Sequence, residues 1–236
     1  MHCNMAAFSH QGRKKENQDS YLSIRLDNGA YLLAIADGVG GHEGGLLASF
    51  TAIREVSSLF NKDNEANINY VFSMVKAAII HEAKEKKAPK MATTLTICYI
   101  NNNKVSVGHV GDCRLYHLRD TGIITKTIDQ SERQKLIDAG VLTKERAKFY
   151  HRRNILLSVL SSDADFDLFE TTFDLQLNDR LLLVSDGVYN LCSKKELVTM
   201  SSLHSDINNW LNSIVSLIQS RVVKDDYTGI GFEMKG

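Results

Sequence analysis

Proline is almost missing from this sequence: Pro89 is the only one in 236 residues. There is also no Gly/Ser-rich linker, internal repeat or low-complexity tract, so nothing divides the chain, and one domain spanning residues 1–236 is the expected organisation. An excess of either charge is missing as well. Lys plus Arg and Asp plus Glu each number 28, which excludes nucleic acid or an anionic membrane as the main partner. Apolar runs stop at six to eight residues, short of the ~20 that a membrane helix needs. The opening Met1-His2-Cys3-Asn4-Met5 has neither the basic region nor the apolar segment of a secretion signal, so the expected setting is the cytoplasm. Cys3, Cys98, Cys113 and Cys192 lack paired spacing. Their scatter suggests neither a zinc site nor a disulfide framework, and the expectation is reduced thiols on buried or half-buried strands and turns.

What is present is an apolar content of 43%, enough for a sizeable core, and one stretch that organises the rest. Ala30-Tyr31-Leu32-Leu33-Ala34-Ile35-Ala36 reads as a buried strand ending on Asp37-Gly38-Val39-Gly40-Gly41-His42. The glycines turn the chain sharply and bring a bare carbonyl near the carboxylate. Together these are hard oxygen ligands, suited to magnesium, manganese or calcium rather than zinc. Upstream, Asp27-Asn28-Gly29 predicts a hairpin between strands 20–26 and 31–36, which would return Asp19 toward Asp37.

The remaining pattern is α+β. Helical spacing covers 46–59 and 69–86, and hairpin strands are predicted at 93–100 and 104–110, with a further strand at 113–118. A charged helical stretch follows at 130–149, then strand-like runs at 155–160, 166–173 and 180–184. Helices at 194–200 and 207–222 and a last strand at 227–232 complete the chain. Hairpins rule out an all-parallel sheet. Trp210, on the last helix, is expected to pack in the core.

Arg180-Leu181-Leu182-Leu183-Val184-Ser185-Asp186-Gly187 repeats the apolar-run-then-Asp-Gly design, and Lys224-Asp225-Asp226-Tyr227-Thr228 puts carboxylates just before the last strand. With Asp19 and Asp112, five acidic sites stand at strand ends. Gathered at one sheet end, they would repel one another unless divalent cations neutralised them. Two such ions acidify a shared water and clamp a phosphoryl oxygen, so the residues point to a phosphate hydrolase.

These segments are also similar to a known family. Asn17-Gln18-Asp19-Ser20, 36–42, Ala92-Thr93-Thr94-Leu95, Gly108 to Tyr116, Leu183 to Val188 and 225–228 resemble, in order and spacing, the motifs of the type 2C metal-dependent protein phosphatases, in particular the compact bacterial members. The resemblance implies a four-layer α/β/β/α sandwich, with two antiparallel sheets face to face and helices outside. It implies Mn2+ or Mg2+ bridged by Asp37, with the Gly38 carbonyl on the second ion and Asp186 and Asp225 completing the first. Asp19 would hold the second ion through water, and Asp112 with Asp186 would match a third, weaker site. The catalytic set is then Asp37, Asp186 and Asp225. A water bridging the ions would attack phosphoserine or phosphothreonine directly. The implied partners are phosphoprotein substrates and an opposing Ser/Thr kinase, with the chain itself a monomer.

The chain departs from that pattern at several positions. Lys14 stands where the family carries a phosphate-gripping arginine, with Arg13 one step earlier, so either cation is a candidate for the phosphate. Val39 replaces a histidine proposed as general acid in eukaryotic members, Asp226 replaces an asparagine, and Gln130 replaces a histidine. Residues 129–154, carrying Arg133, Lys135, Lys144, Arg146, Lys148, Arg152 and Arg153, match a flap beside the cleft, and these cations either meet substrate or form a solvated face. Two other functions stay open on the residues: a weakly active homologue that binds phosphoproteins, and a phosphatase of small esters.

Overall fold

The computed structural model describes residues 2–39, 43–88 and 90–235. One five-stranded antiparallel sheet runs, in spatial order, β1 (His2–His10), β12 (Tyr227–Lys235), β11 (Arg180–Val184), β7 (Arg114–Arg119) and β8 (Gly122–Thr125). The other runs β10 (Phe169–Asp174), β6 (Lys104–Val110), β5 (Leu95–Asn101), β3 (Tyr31–Asp37) and β2 (Asp19–Arg25). Two short strands, β4 (Ala92–Thr93) and β9 (Leu160–Ser161), pair separately. The longer helices are α1 (Glu43–Lys62), α2 (Ile68–Glu85), α6 (Lys194–Leu203) and α7 (Ile207–Gln219), with the short α3 (Glu132–Asp138), α4 (Lys144–Ala147) and α5 (Asp186–Tyr189) between them.

Strand alternation explains the layering, because successive side chains leave a strand on opposite faces. On β3, Leu33 and Ile35 meet Leu181 and Leu183 of β11 and Ile230 and Phe232 of β12 in the core between the sheets. Leu32, Ala34 and Ala36 turn the other way and pack on Ala48, Ala52, Val56 and Phe60 of α1 and on Phe72, Val75 and Ile79 of α2. On β11, Leu182 and Val184 likewise point outward to Leu197 of α6 and Trp210, Leu211 and Ile214 of α7. A strand buried on both faces reads as an unbroken apolar run. The result is the expected helix/sheet/sheet/helix sandwich, and Trp210 is fully buried in it. The four cysteines are free, Cys3 half-buried and the others buried. Among the described residues no helix is long and apolar enough to cross a membrane.

The structure corrects several element boundaries. The run 93–100 is broken at Thr94, whose amide and hydroxyl are both committed to the Asp37 backbone (2.9 Å each). Residues 155–160 do not form a strand before Leu160. Leu156 bridges Ser131, and the amides of Glu132 and Leu157 exchange bonds with Ile155 and Gln130, so this apolar run closes the base of the 129–154 segment. The predicted helix 130–149 is two helices separated by Gly140, which adopts a positive φ of 70°. Strand β8 and helix α5 were not expected. Gly40, Gly41 and His42, read as the turn after Asp37, lie outside the described residues, as does Pro89.

Candidate metal centre

The hairpin at Asp27-Asn28-Gly29 sets the register of β2 against β3, and that register makes Asp19 and Asp37 direct partners at the sheet end. The backbone of Asp37 is fixed from the neighbouring segment: its carbonyl accepts from the Thr94 amide and the Thr93 hydroxyl, both at 2.9 Å. Gly38 forms a bridge with Thr93 and donates its amide to the Gln18 carbonyl at 3.1 Å.

The second sheet brings Asp186. Here the design differs from that of Asp37: β11 stops at Val184, Ser185 caps α5, and Asp186 is the first helical residue. The Ser185 hydroxyl donates to Asp19 Oδ2 at 2.7 Å, which ties the two sheets together at the site. Gly187 packs so closely on the next strand that a Cβ there would lie 2.1 Å from the Asp226 carbonyl oxygen, so α5 can dock only with glycine at this position. Asp112 follows Gly111, whose φ of 113° and approach to Thr94 (2.5 Å for an added Cβ) also demand glycine. Its Oδ2 accepts from the Tyr189 hydroxyl at 2.9 Å.

Asp225 faces a cation of the chain itself: Lys14 Nζ lies 2.6 Å from Asp225 Oδ1 and 3.7 Å from Asp226 Oδ2. Arg13 is exposed and stays outside this cluster. Asp226, almost fully buried, accepts the amides of Gly12 and Gln18 with its two oxygens, at 2.8 and 2.9 Å. An asparagine offers one acceptor oxygen and an NH2, so it cannot hold both ends of the 12–18 loop in this way. Gln130 is structural too: its side chain accepts from Gly111 N and donates to the Asp167 carbonyl, both at 2.8 Å.

Electrostatically the carboxylates form one group. Loss of hydration, followed by the charges of Asp19, Asp186 and Asp112, holds Asp37 far above the usual carboxylate range. Burial and then Asp112 and Asp225 do the same to Asp186. Burial raises Asp19 and Asp112 to about 6, partly offset by the Ser185 and Tyr189 hydrogen bonds respectively. Burial lowers the Lys14 ammonium's value, but the Asp225 hydrogen bond and the surrounding carboxylates outweigh it and raise the ammonium to about 12, so it stays charged. Asp19 Oδ1 and Asp186 Oδ1 are buried with no hydrogen-bond partner among the described residues, a costly state for ionised oxygens.

A divalent cation bound among these oxygens would neutralise the repulsion and partner the bare oxygens together. The donors are carboxylate and carbonyl oxygens, the set that Mg2+ and Mn2+ prefer. Among the described residues no three His, Cys, Asp or Glu groups close into a finished cage, but such ions take carbonyl and water oxygens for much of their shell. A cavity of about 220 Å3 opens on Asp186 and Asp225, walled by Gly187, Asn190, Leu191 and Val222 and by three residues that the motif reading gave no role at the metal site: Arg153, Asn154 and Lys224. Ser185 and Tyr189 were also missed as partners of the aspartates. Ser185 had a signal, its position beside Asp186, whereas Tyr189 had none, because its contact spans 77 positions of sequence. A larger hollow of about 490 Å3 near Ile80 and Ala83 has a single carboxylate, Asp163, and no comparable cluster.

Comparison with known proteins agrees with this geometry. Protein phosphatase PhpP of Streptococcus pneumoniae is 28% identical over 194 residues, 79% of each chain. Serine/threonine protein phosphatase PstP of Mycobacterium tuberculosis is 31% identical over 190 residues, 78% of this chain and 36% of that protein. The crystal structure of the PstP catalytic domain in complex with two manganese ions superposes with a TM-score of 0.85 at 25% identity, covering 99% of both chains. The profile of the family described as protein phosphatase 2C matches residues 8–214, reaching from β1 into α7 and taking in four of the five aspartates. With its motifs, its sandwich and its acidic cleft all in that arrangement, the chain belongs to the protein phosphatase 2C family.

Proposed function

We propose that this protein is a metal-dependent protein serine/threonine phosphatase, its whole length serving as one catalytic domain. The observation that carries the reading is the set of buried, mutually repelling carboxylates with two unpartnered oxygens, set beside a lysine at a cleft. Asp37, Asp186 and Asp225 would hold Mn2+ or Mg2+ with the Gly38 carbonyl, with Asp19 and Asp112 on the flanks. When bound, these ions supply Lewis acidity, which makes water nucleophilic at neutral pH and neutralises phosphoryl oxygens.

The chain's own residues do the rest. Thr93 and Thr94 fix Asp37 by its backbone, Ser185 orients Asp19, and Asp226 pins both ends of the loop that carries Lys14. Lys14 is the phosphate-binding cation rather than Arg13: it sits among the carboxylates, charged at neutral pH, and can pass from Asp225 to an incoming phosphate oxygen. Residues 129–154 form a flap whose Arg153 and Asn154 line the cavity at Asp186 and Asp225. The substrate is a phosphoprotein made by a Ser/Thr kinase, and the chain acts as a cytoplasmic monomer.

Purified protein is expected to release phosphate from a phosphothreonine peptide with Mn2+ and to lose this activity in Asp37→Asn. It should prefer the peptide to p-nitrophenyl phosphate in kcat/KM. Absence of Mn2+-dependent release from any phosphopeptide would refute the assignment.

A further inference from the structure

Tyr189 ends α5, the same single turn that begins at Asp186. Its hydroxyl donates to Asp112 Oδ2 at 2.9 Å, so one short helix carries Asp186 and also holds Asp112, a residue of a different loop. The ring of Tyr189 has a second contact. Arg114 Cζ lies 3.7 Å from its centroid, and the guanidinium plane that stacks there grips Asp129 with Nε at 2.9 Å and Nη2 at 2.6 Å. Asp129 in turn accepts from Arg133 of α3 at 3.2 Å. A continuous path of contacts therefore runs from the acidic cleft through Tyr189 and Arg114 to the base of the 129–154 segment.

Asp112 needs such a tether. Asp112 shares the acidic cleft with Asp37 and Asp186, whose carboxylates its own charge disturbs, and a carboxylate on a loop swings away from like charges unless something holds it. The Tyr189 bond occupies Oδ2 and leaves Oδ1 for an ion. Outer hydrogen bonds of this kind to ligand carboxylates carry about 10–100-fold of metal affinity.

We propose that Tyr189 is a positioning residue: its hydroxyl aims the Asp112 carboxylate at the weakest of the metal positions, and its stack on Arg114 couples that aim to Asp129 at the base of the flap. The proposal rests on the metal-dependent phosphatase reading, and its test is built to fail separately from it.

The test uses Tyr189→Phe in the full-length chain, which keeps the ring and its stack and removes only the donor. Mn2+ binding is followed by the EPR signal of free Mn2+, thermal unfolding is measured without metal, and kcat and KM for a phosphothreonine peptide are measured across Mn2+ concentrations. The metal-free unfolding temperature should match that of the wild type, while the weakest Mn2+ site loses about tenfold or more in affinity. The Mn2+ concentration for half-maximal kcat should rise by the same factor, with peptide KM unchanged. Arg114→Lys, which keeps the charge but loses the stack and the two-toothed grip on Asp129, should weaken the same site. Identical Mn2+ isotherms for wild type and Tyr189→Phe overturn the proposal, as does a loss of affinity matched by an equal fall in metal-free stability. A wild type that binds Mn2+ but hydrolyses no phosphopeptide refutes the functional reading instead, and the isotherms still judge Tyr189.

Discussion

Replacing Asp37 by asparagine removes a carboxyl group whose ionised form is disfavoured first by burial and then by the charges of Asp19, Asp186 and Asp112. The same change deletes the donor at the centre of the proposed metal set, so chemistry and stability should move in opposite directions. Hydrolysis should fall by about 10^3-fold or more, the rate equivalent of several kcal/mol of lost charge stabilisation. The metal-free chain should become more stable, with the unfolding temperature rising about 2–4 °C for each kcal/mol of repulsion removed. Differential scanning fluorimetry with and without Mn2+ checks both arms: the variant starts higher and no longer responds to Mn2+. At Lys14 the expected effect is on binding. Lys14→Ala should raise KM for a phosphopeptide by roughly tenfold, the scale of one charge-assisted hydrogen bond, whereas Arg13→Ala leaves steady-state kinetics unchanged.

Among the elements, β6 carries a titratable group at its end, and β11 is followed by the tightest packing in the site. His109 of β6 is fully buried, with Nδ1 2.8 Å from the Thr96 hydroxyl and Nε2 3.1 Å from the Ile128 carbonyl. A carbonyl only accepts, so Nε2 carries the proton, Nδ1 accepts from Thr96, and the ring is neutral. Burial depresses its pKa from 6.5 to about 4, against the pull of Asp129. The unfolded chain therefore binds this proton more readily than the folded one. The stability that the neutral ring contributes is complete above pH 6.5 and drains away as pH falls toward 4, about 3 kcal/mol in all. Urea unfolding from pH 7 to 4.5 should show a shallower loss in His109→Gln, whose amide preserves both bonds without a charge to acquire. At α5, Gly187→Ala sets a methyl against the Asp226 carbonyl. The helix must shift, taking Asp186 with it, so activity falls even where circular dichroism shows a folded protein.

For the molecule as a whole, metal removal is the informative perturbation, because the two sheets meet at the site through like charges. Ser185 to Asp19 is a hydrogen bond across the site, but Asp37, at the end of β3, and Asp186, just past β11, repel. A chelator should abolish activity and lower the unfolding temperature. Restoring Mn2+ to about 100 times its dissociation constant should add about 2.7 kcal/mol per independent site. A chelated protein that unfolds at the same temperature as the Mn2+-loaded one would mean that no ion relieves this repulsion.

The sequence by itself determined the elements and their partners wherever the signal was local. The apolar runs of β3 and β11 are written in consecutive residues, and the Asp27-Asn28-Gly29 turn fixes a two-strand register that makes Asp19 and Asp37 neighbours. Trp210 and the free thiols were legible for the same reason, since burial follows from side-chain type and spacing. Only the tertiary structure decided which groups meet across long separations of chain: Lys14 with Asp225, Ser185 with Asp19, Tyr189 with Asp112. It also decided that residues 155–159 close a loop instead of forming a strand. A β-branched or apolar run states that it will be covered, but what covers it depends on the packing of two sheets whose relative placement no short stretch of sequence encodes.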